Sequence, residues 1–176
     1  MIRWLIGILA FCSSLIAMPA AAQLAVYRSP VEAPTLGRTI PGQSPTVFSV
    51  SIDGAVHRVS GDAIRLSTAS VRTPTITVTC GPNILVSLCG LRHVRVTITP
   101  VGGQGPATIT RLRVGNLRGT LYRYGAPSEG ASVSFDLEPL GLFRDATFNL
   151  GMDVRLSGAA RGGEHFFDYL VTVQLL

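Results

Sequence analysis

Apolar and polar residues alternate with a period of two along most of this chain. Phe48, Val50 and Ile52 share one face of residues 47–52; Ile76, Val78 and Cys80 do so in the next clear run, with Thr75, Thr77 and Thr79 opposite. Val94, Val96 and Ile98 alternate with Arg95, Thr97 and Thr99, and residues 108–114 follow the turn-forming Gly102-Gly103-Gln104-Gly105-Pro106. Val133, Phe135 and Leu137 then alternate with Ser134, Asp136 and Glu138, and Phe148, Leu150, Met152, Val154 and Leu156 with Asn149, Gly151, Asp153 and Arg155. Alternation of this kind predicts antiparallel strands with one buried and one wet face. Glycine and proline clusters punctuate the runs, and no stretch carries a helical period. The expected fold is all-β: an antiparallel, immunoglobulin-like or pilin-like β-sandwich of roughly seven to ten strands.

The pattern breaks at the beginning of the chain. Arg3 forms a short positive region, residues 4–17 an apolar run and Ala20-Ala21-Ala22 a small-residue cleavage site, the build of a cleaved secretory signal peptide over residues 1–22. The apolar run is shorter than the roughly 20 residues of a membrane-spanning helix. Residues 23–45 carry Pro30, Pro34, Pro41 and Pro45. They read as a proline-rich arm with one extended piece around Leu36–Ile40, ahead of a sandwich domain over residues 46–176.

Export reclassifies the cysteines. Cys12 leaves with the leader, and Cys80 and Cys89 remain as a pair in an oxidising compartment, where a disulfide is expected. Closing so short a loop stabilises the fold by roughly 2–3 kcal/mol on the chain-entropy account.

Positive charge is carried by arginine alone. Between Ala63 and Ser128 lie eight arginines and no acid; from Glu129 onward there are seven acids and three arginines. Two readings fit: opposite charges that meet across strands, or a polar molecule whose ends attract other copies or a polyanion. Arg111 and Arg113 project from one strand face, with Arg92 and Arg95 on the preceding strand. If those strands pair, four guanidinium groups form a patch for carboxylates, sulfates or phosphates. Tyr122 and Tyr124 stand near enough in sequence to stack sugar rings there. Nucleic acid does not suit the compartment, whereas an anionic polysaccharide does.

Catalytic signatures are sparse. His57, His93 and His165 lack metal-ligand spacing, so neither metal nor cofactor is expected. Residues 125–130, Gly-Ala-Pro-Ser-Glu-Gly, miss the nucleophile-elbow pattern by one residue and read as a turn. Asp136 and Glu138 share one strand face and read as an exposed acidic surface rather than a glycosidase pair. The expectation is a non-enzymatic protein.

The closing segment, Phe166–Leu176, is the most regular. Phe167, Tyr169, Val171, Val173 and Leu175 line one face, as in an ordinary sheet member or in a pilin C-terminal strand gripped by strand addition. The order of pieces extends the likeness: Leu36-Gly37-Arg38-Thr39-Ile40-Pro41-Gly42, then Val47-Phe48-Ser49-Val50-Ser51, Asp53-Gly54-Ala55 and Val59-Ser60-Gly61-Asp62. Phe148-Asn149-Leu150-Gly151-Met152 follows, and Gly162-Gly163-Glu164-His165-Phe166 leads into Tyr169-Leu170-Val171-Thr172-Val173. Over residues 36–176 this resembles the bacterial secreted domain-of-unknown-function family 4402 (DUF4402), whose members look like fimbrial subunits. The resemblance implies a structural role at the periplasm, outer-membrane surface or fimbria of a Gram-negative envelope and brings no catalytic residues. The expected partners are further copies or an assembly chaperone, joined by β-strand pairing through the arm or the closing strand. The alternative is a monomeric adhesin- or lectin-like module that takes anionic glycans through the arginine patch.

Overall fold

The computed structural model describes residues 24–81, 87–102, 105–142, 144–158 and 160–176; the expected signal peptide lies outside them. Twelve strands are present among the described residues, more than the alternation alone announces. They are β1 (Leu24–Ser29), β2 (Thr35–Ile40), β3 (Thr46–Val50), β4 (Val56–Ser60), β5 (Ile64–Arg65), β6 (Thr75–Cys80), β7 (Val94–Val101), β8 (Ala107–Arg118), β9 (Val133–Leu137), β10 (Asp145–Leu156), β11 (Gly163–Phe166) and β12 (Asp168–Leu175). A 3-10 turn at Ser87–Leu91 precedes β7, and Cys89 is joined to Cys80 by a disulfide. All pairings are antiparallel, and the fold is an all-β sandwich.

β10 is the spine of the larger sheet. Ala146, Phe148, Leu150, Met152, Val154 and Leu156 are all buried on its inner face. One edge pairs with β8 along nearly its whole length; the other pairs first with β6 and then with β3. The handover falls at Asn149. Its side-chain Oδ1 accepts from Thr75 Oγ1 at 3.1 Å and its Nδ2 donates to the Ile52 carbonyl at 3.3 Å, so polar groups are satisfied where the ladder changes partner. β1 extends this sheet beyond β6, and β4 extends it beyond β3.

The second layer is a three-stranded sheet in the order β12-β7-β9. Val94, Val96 and Ile98 of β7 and Val133, Phe135 and Leu137 of β9 are buried. Phe135 meets Phe148 edge-to-face at 5.5 Å, which ties the two layers through their largest side chains. A third small sheet, β11-β2-β5, is anchored by buried Leu36 and by Thr39, whose hydroxyl donates to the Gly163 carbonyl at 3.2 Å.

The proline-rich stretch is folded into the domain. Pro30 and Pro34 lie between β1 and β2, and Pro41 and Pro45 between β2 and β3. The prolines therefore bracket strands instead of interrupting them, which lets β2 sit as the middle strand of its sheet. β1 pairs with β6 of its own chain from Leu24↔Cys80 to Ser29↔Thr75.

Phe148 is wholly buried at the junction of the layers. Phe148→Ala is expected to lower unfolding free energy by about 3–5 kcal/mol, read from urea denaturation of the oxidised protein.

Candidate functional site

β12 carries the regular face expected of it. Phe167, which stands just ahead of the strand, and Tyr169 are buried, and Val171, Val173 and Leu175 continue the face as half-buried residues packed against the core. The strand pairs with β7 from Asp168↔Val101 to Leu175↔Val94. Just past that ladder, the Leu176 N–H donates to the His93 carbonyl at 3.0 Å. Hydrogen bonding alternates along an antiparallel pair, so even-numbered residues of β12 turn their backbone groups to β7 and odd-numbered ones turn theirs outward. Two observations agree. Pro100, which has no N–H to give, stands opposite Tyr169, and the Tyr169 N–H is taken by its neighbour's Asp168 Oδ1 at 2.9 Å.

Among the described residues the outward edge of β12 has no ladder partner. β1, the edge strand of the other layer, runs beside it along the same flank without forming a ladder to it. The two strands are clasped at one end, where Arg28 Nη1 lies 2.6 Å from Asp168 Oδ1 and the guanidinium sits 5.8 Å from the Tyr169 ring centre. The Tyr169 hydroxyl is buried with no hydrogen-bond partner among the described residues. Burial pushes its pKa up to about 12, against the pull of Arg28. From Val171 onward the strand carries no charged side chain, while Leu170, Thr172 and Gln174 face solvent.

The arginines do not form one patch, because β7 and β8 belong to different sheets and do not pair. Arg111 and Arg113 lie on β8 in the larger sheet. Arg113 is the better held: Nη2 meets Asp153 Oδ1 at 2.6 Å, Nε lies 3.3 Å from Glu129 Oε1, and Nη1 donates to Ser49 Oγ at 2.9 Å. Its stem lies over Gly151, where an added Cβ would come within 2.8 Å of Arg113 Cγ and 2.9 Å of the Val50 carbonyl oxygen. Arg111 has longer contacts to the same two acids, 3.7 Å to Glu129 and 3.9 Å to Asp153. Arg92 Nε donates to the Leu176 carbonyl at 3.0 Å.

Arg95, on β7, forms a two-pronged pair with Asp136 on β9: Nε to Oδ1 at 2.8 Å and Nη2 to Oδ2 at 2.9 Å. Asp136 is only 7% exposed, which corrects the expectation of an open acidic face. Arg95 lies across it, and the loop between β8 and β9 hydrogen-bonds to its backbone, Arg123 N–H to the Asp136 carbonyl at 2.9 Å. The hydrogen bonds from Arg95 hold the Asp136 carboxyl below its ordinary range, with burial opposing. His93 Nδ1 stands 3.4 Å from Glu138 Oε2.

The tyrosines also part company. Tyr122 bridges to Leu137 and packs edge-on against Phe135 at 5.5 Å. Its hydroxyl is buried without a partner among the described residues, and burial raises its pKa. It is a wall of the core. Tyr124 is 76% exposed, with the Arg123 guanidinium 5.0 Å from its ring centre. Arg95, Tyr124, Ser128, Ser134 and Asp136 border a surface hollow of about 370 Å³. Of the six residues expected to make a ligand patch, only Arg95 and Tyr124 share it.

Neither a family model, a curated protein nor a solved structure matches this chain. Among the described residues no group of three His, Cys, Asp or Glu side chains is placed to hold a metal ion, and no helix is long and apolar enough to cross a membrane.

Arg123 and the Asp136 partnership were hidden from sequence reading. Arg95 and Asp136 are register partners on β7 and β9, 41 positions apart in the chain, and alternation along either strand carries no information about register between them. Because the folded Asp136 carboxyl titrates below its ordinary value near 3.8, the pair contributes stability that is complete above that value and lost as pH falls through the lowered one. Asp136→Asn is therefore expected to destabilise the protein at pH 6, with the difference from the parent shrinking as pH drops toward 2. Denaturant midpoints across that range measure it.

Proposed function

We propose that the protein is an exported structural subunit of a fimbria-like or cell-surface assembly, joined to other copies by β-strand pairing along the flank where β1 and β12 run side by side. The carrying observation is the outer edge of β12, a regular eight-residue strand with a ladder on one side only among the described residues. Its outward backbone groups at Val171, Val173 and Leu175 offer donors and acceptors at the two-residue interval of an incoming strand. Soluble proteins ordinarily blunt such edges with charges, proline or bulges. None of these stands between Val171 and Leu175. The ordered succession of motifs that resembles the DUF4402 family points the same way, as does the leader-like sequence before Leu24.

The arm has a different part from the one the sequence suggested. Residues Leu24–Ser29 are paired with β6 of the same chain, so the incoming strand adds at the flank and the arm forms one border of it. The Arg28–Asp168 clasp, with each side chain about one-third exposed, marks the end of the flank where pairing stops.

Proline substitutions separate the two edges of β12. Val173→Pro removes an outward N–H and leaves the ladder to β7 intact, whereas Thr172→Pro removes a donor from that ladder and destabilises the fold. Light scattering after size-exclusion chromatography is expected to show multimers for the parent chain, folded monomers for Val173→Pro and a destabilised protein for Thr172→Pro. A parent chain that stays monomeric at every concentration, or Val173→Pro multimers equal to the parent's, overturns the reading.

A further inference from the structure

We propose that the hollow bordered by Arg95, Tyr124 and Ser134 is a carbohydrate subsite that prefers a sugar residue carrying a carboxylate. It lies beside β9, at the opposite edge of the three-stranded sheet from β12. The two surfaces are separate, and occupation of one does not require the other.

The hollow is built on a loop held at several points. Leu121 accepts from the Glu138 N–H at 2.9 Å, the Arg123 N–H donates to the Asp136 carbonyl at 2.9 Å, and Leu112 and Gly130 exchange hydrogen bonds of 2.7 and 3.1 Å. Gly119 turns the chain out of β8 at φ +85°, where an added Cβ would sit 1.9 Å from the Asp145 carbonyl oxygen. These constraints present Tyr124 in a fixed place. Its ring is braced by Arg123 and most of its surface remains open. An open aromatic ring beside hydroxyl and guanidinium groups matches the two-faced chemistry of a pyranose, with apolar C–H groups over the ring and hydroxyls toward polar partners.

The polar partners are at hand. Arg95 gives two of its five N–H groups to Asp136, which fixes the guanidinium plane and leaves the others for a ligand. Ser134 Oγ lies 3.1 Å from Thr97 Oγ1, a hydroxyl pair on the exposed face of β9 and β7. Ser128 lines the far side. Arg95 and Asp136 cancel in charge, while Arg123 is left as the excess positive group beside Tyr124. Glu129, the nearest acid along the loop, is turned toward Arg111 and Arg113. One excess positive charge suits a singly charged sugar acid; the dense arginine patch that a polysulfated chain would require is broken up across the two sheets. A volume of about 370 Å³ is at the small end of ligand sites and suits one sugar residue with part of its neighbour.

The test is amide NMR titration of the folded chain with trigalacturonate, and with uncharged galactotriose as comparator. Saturable shifts centred on Tyr124, Arg95 and Ser134 are expected, with the acidic trisaccharide binding more tightly. Tyr124→Ala should weaken it about tenfold, and Tyr124→Phe should keep it within about twofold. Arg123→Gln should bring the acidic trisaccharide down to the affinity of the neutral one. Because Tyr124 is exposed, the unperturbed remainder of each variant's spectrum reports that the fold is kept. No saturable shift at roughly 10 mM trisaccharide, shifts centred elsewhere, or unchanged binding by Tyr124→Ala overturns the subsite; equal binding of both trisaccharides overturns the preference for an acid.

Discussion

The architecture depends on one strand long enough to be shared. β10 spans twelve residues, about twice the usual strand, and its outer half-edge is divided between β6 and β3. Two strands far apart in sequence are thereby laid end to end against a continuous backbone. The cost of such an arrangement is a gap between their ends where backbone groups would be left unsatisfied. Asn149 bridges that gap with one side chain, and Thr73 adds a second bond to the Ile52 carbonyl at 3.0 Å. With the gap closed, all six inward residues of β10 can be apolar and buried, and Phe148 can reach across to Phe135.

The charge asymmetry along the chain is resolved inside the molecule. Arginines of the first part meet acids of the last part in Arg28–Asp168, Arg95–Asp136 and Arg113–Asp153. Arg28–Asp168 is partly open on both sides, and an exposed pair of that kind contributes roughly 0–1 kcal/mol; Asp136, Arg113 and Asp153 are largely covered. The effect of these pairs is on recognition. Each arginine tied to a carboxylate is withdrawn from any surface that would bind a polyanion, and the chain's excess of positive charge becomes local instead of collective.

The three-stranded sheet has two unlike edges. β9 is covered by the loop through Tyr122, which bridges to Leu137 and feeds backbone bonds to Asp136 and Glu138. β12 is clasped to β1 through Arg28, and its outward groups have no ladder partner among the described residues. This asymmetry separates an edge suited to adding a strand from an edge whose covering loop makes a hollow.

Period-two alternation in the sequence determined the strand faces, because burial on one side of a pleated strand leaves a mark in every second residue. β6, β7, β9 and β10 were legible on that ground, as was the regular face of β12, and the two cysteines left after the leader pointed to their disulfide. β1, β4, β5 and β11 are short or sit at edges where few side chains are buried, so they leave little pattern. Tertiary structure alone decided which strands pair. That choice sent Arg95 to Asp136 and Arg113 to Asp153, made Tyr122 a core residue while its near neighbour Tyr124 stayed in solvent, and folded the proline-bearing stretch into two sheets. Register between strands tens of residues apart is set by packing of the whole, and no local run of residues encodes it.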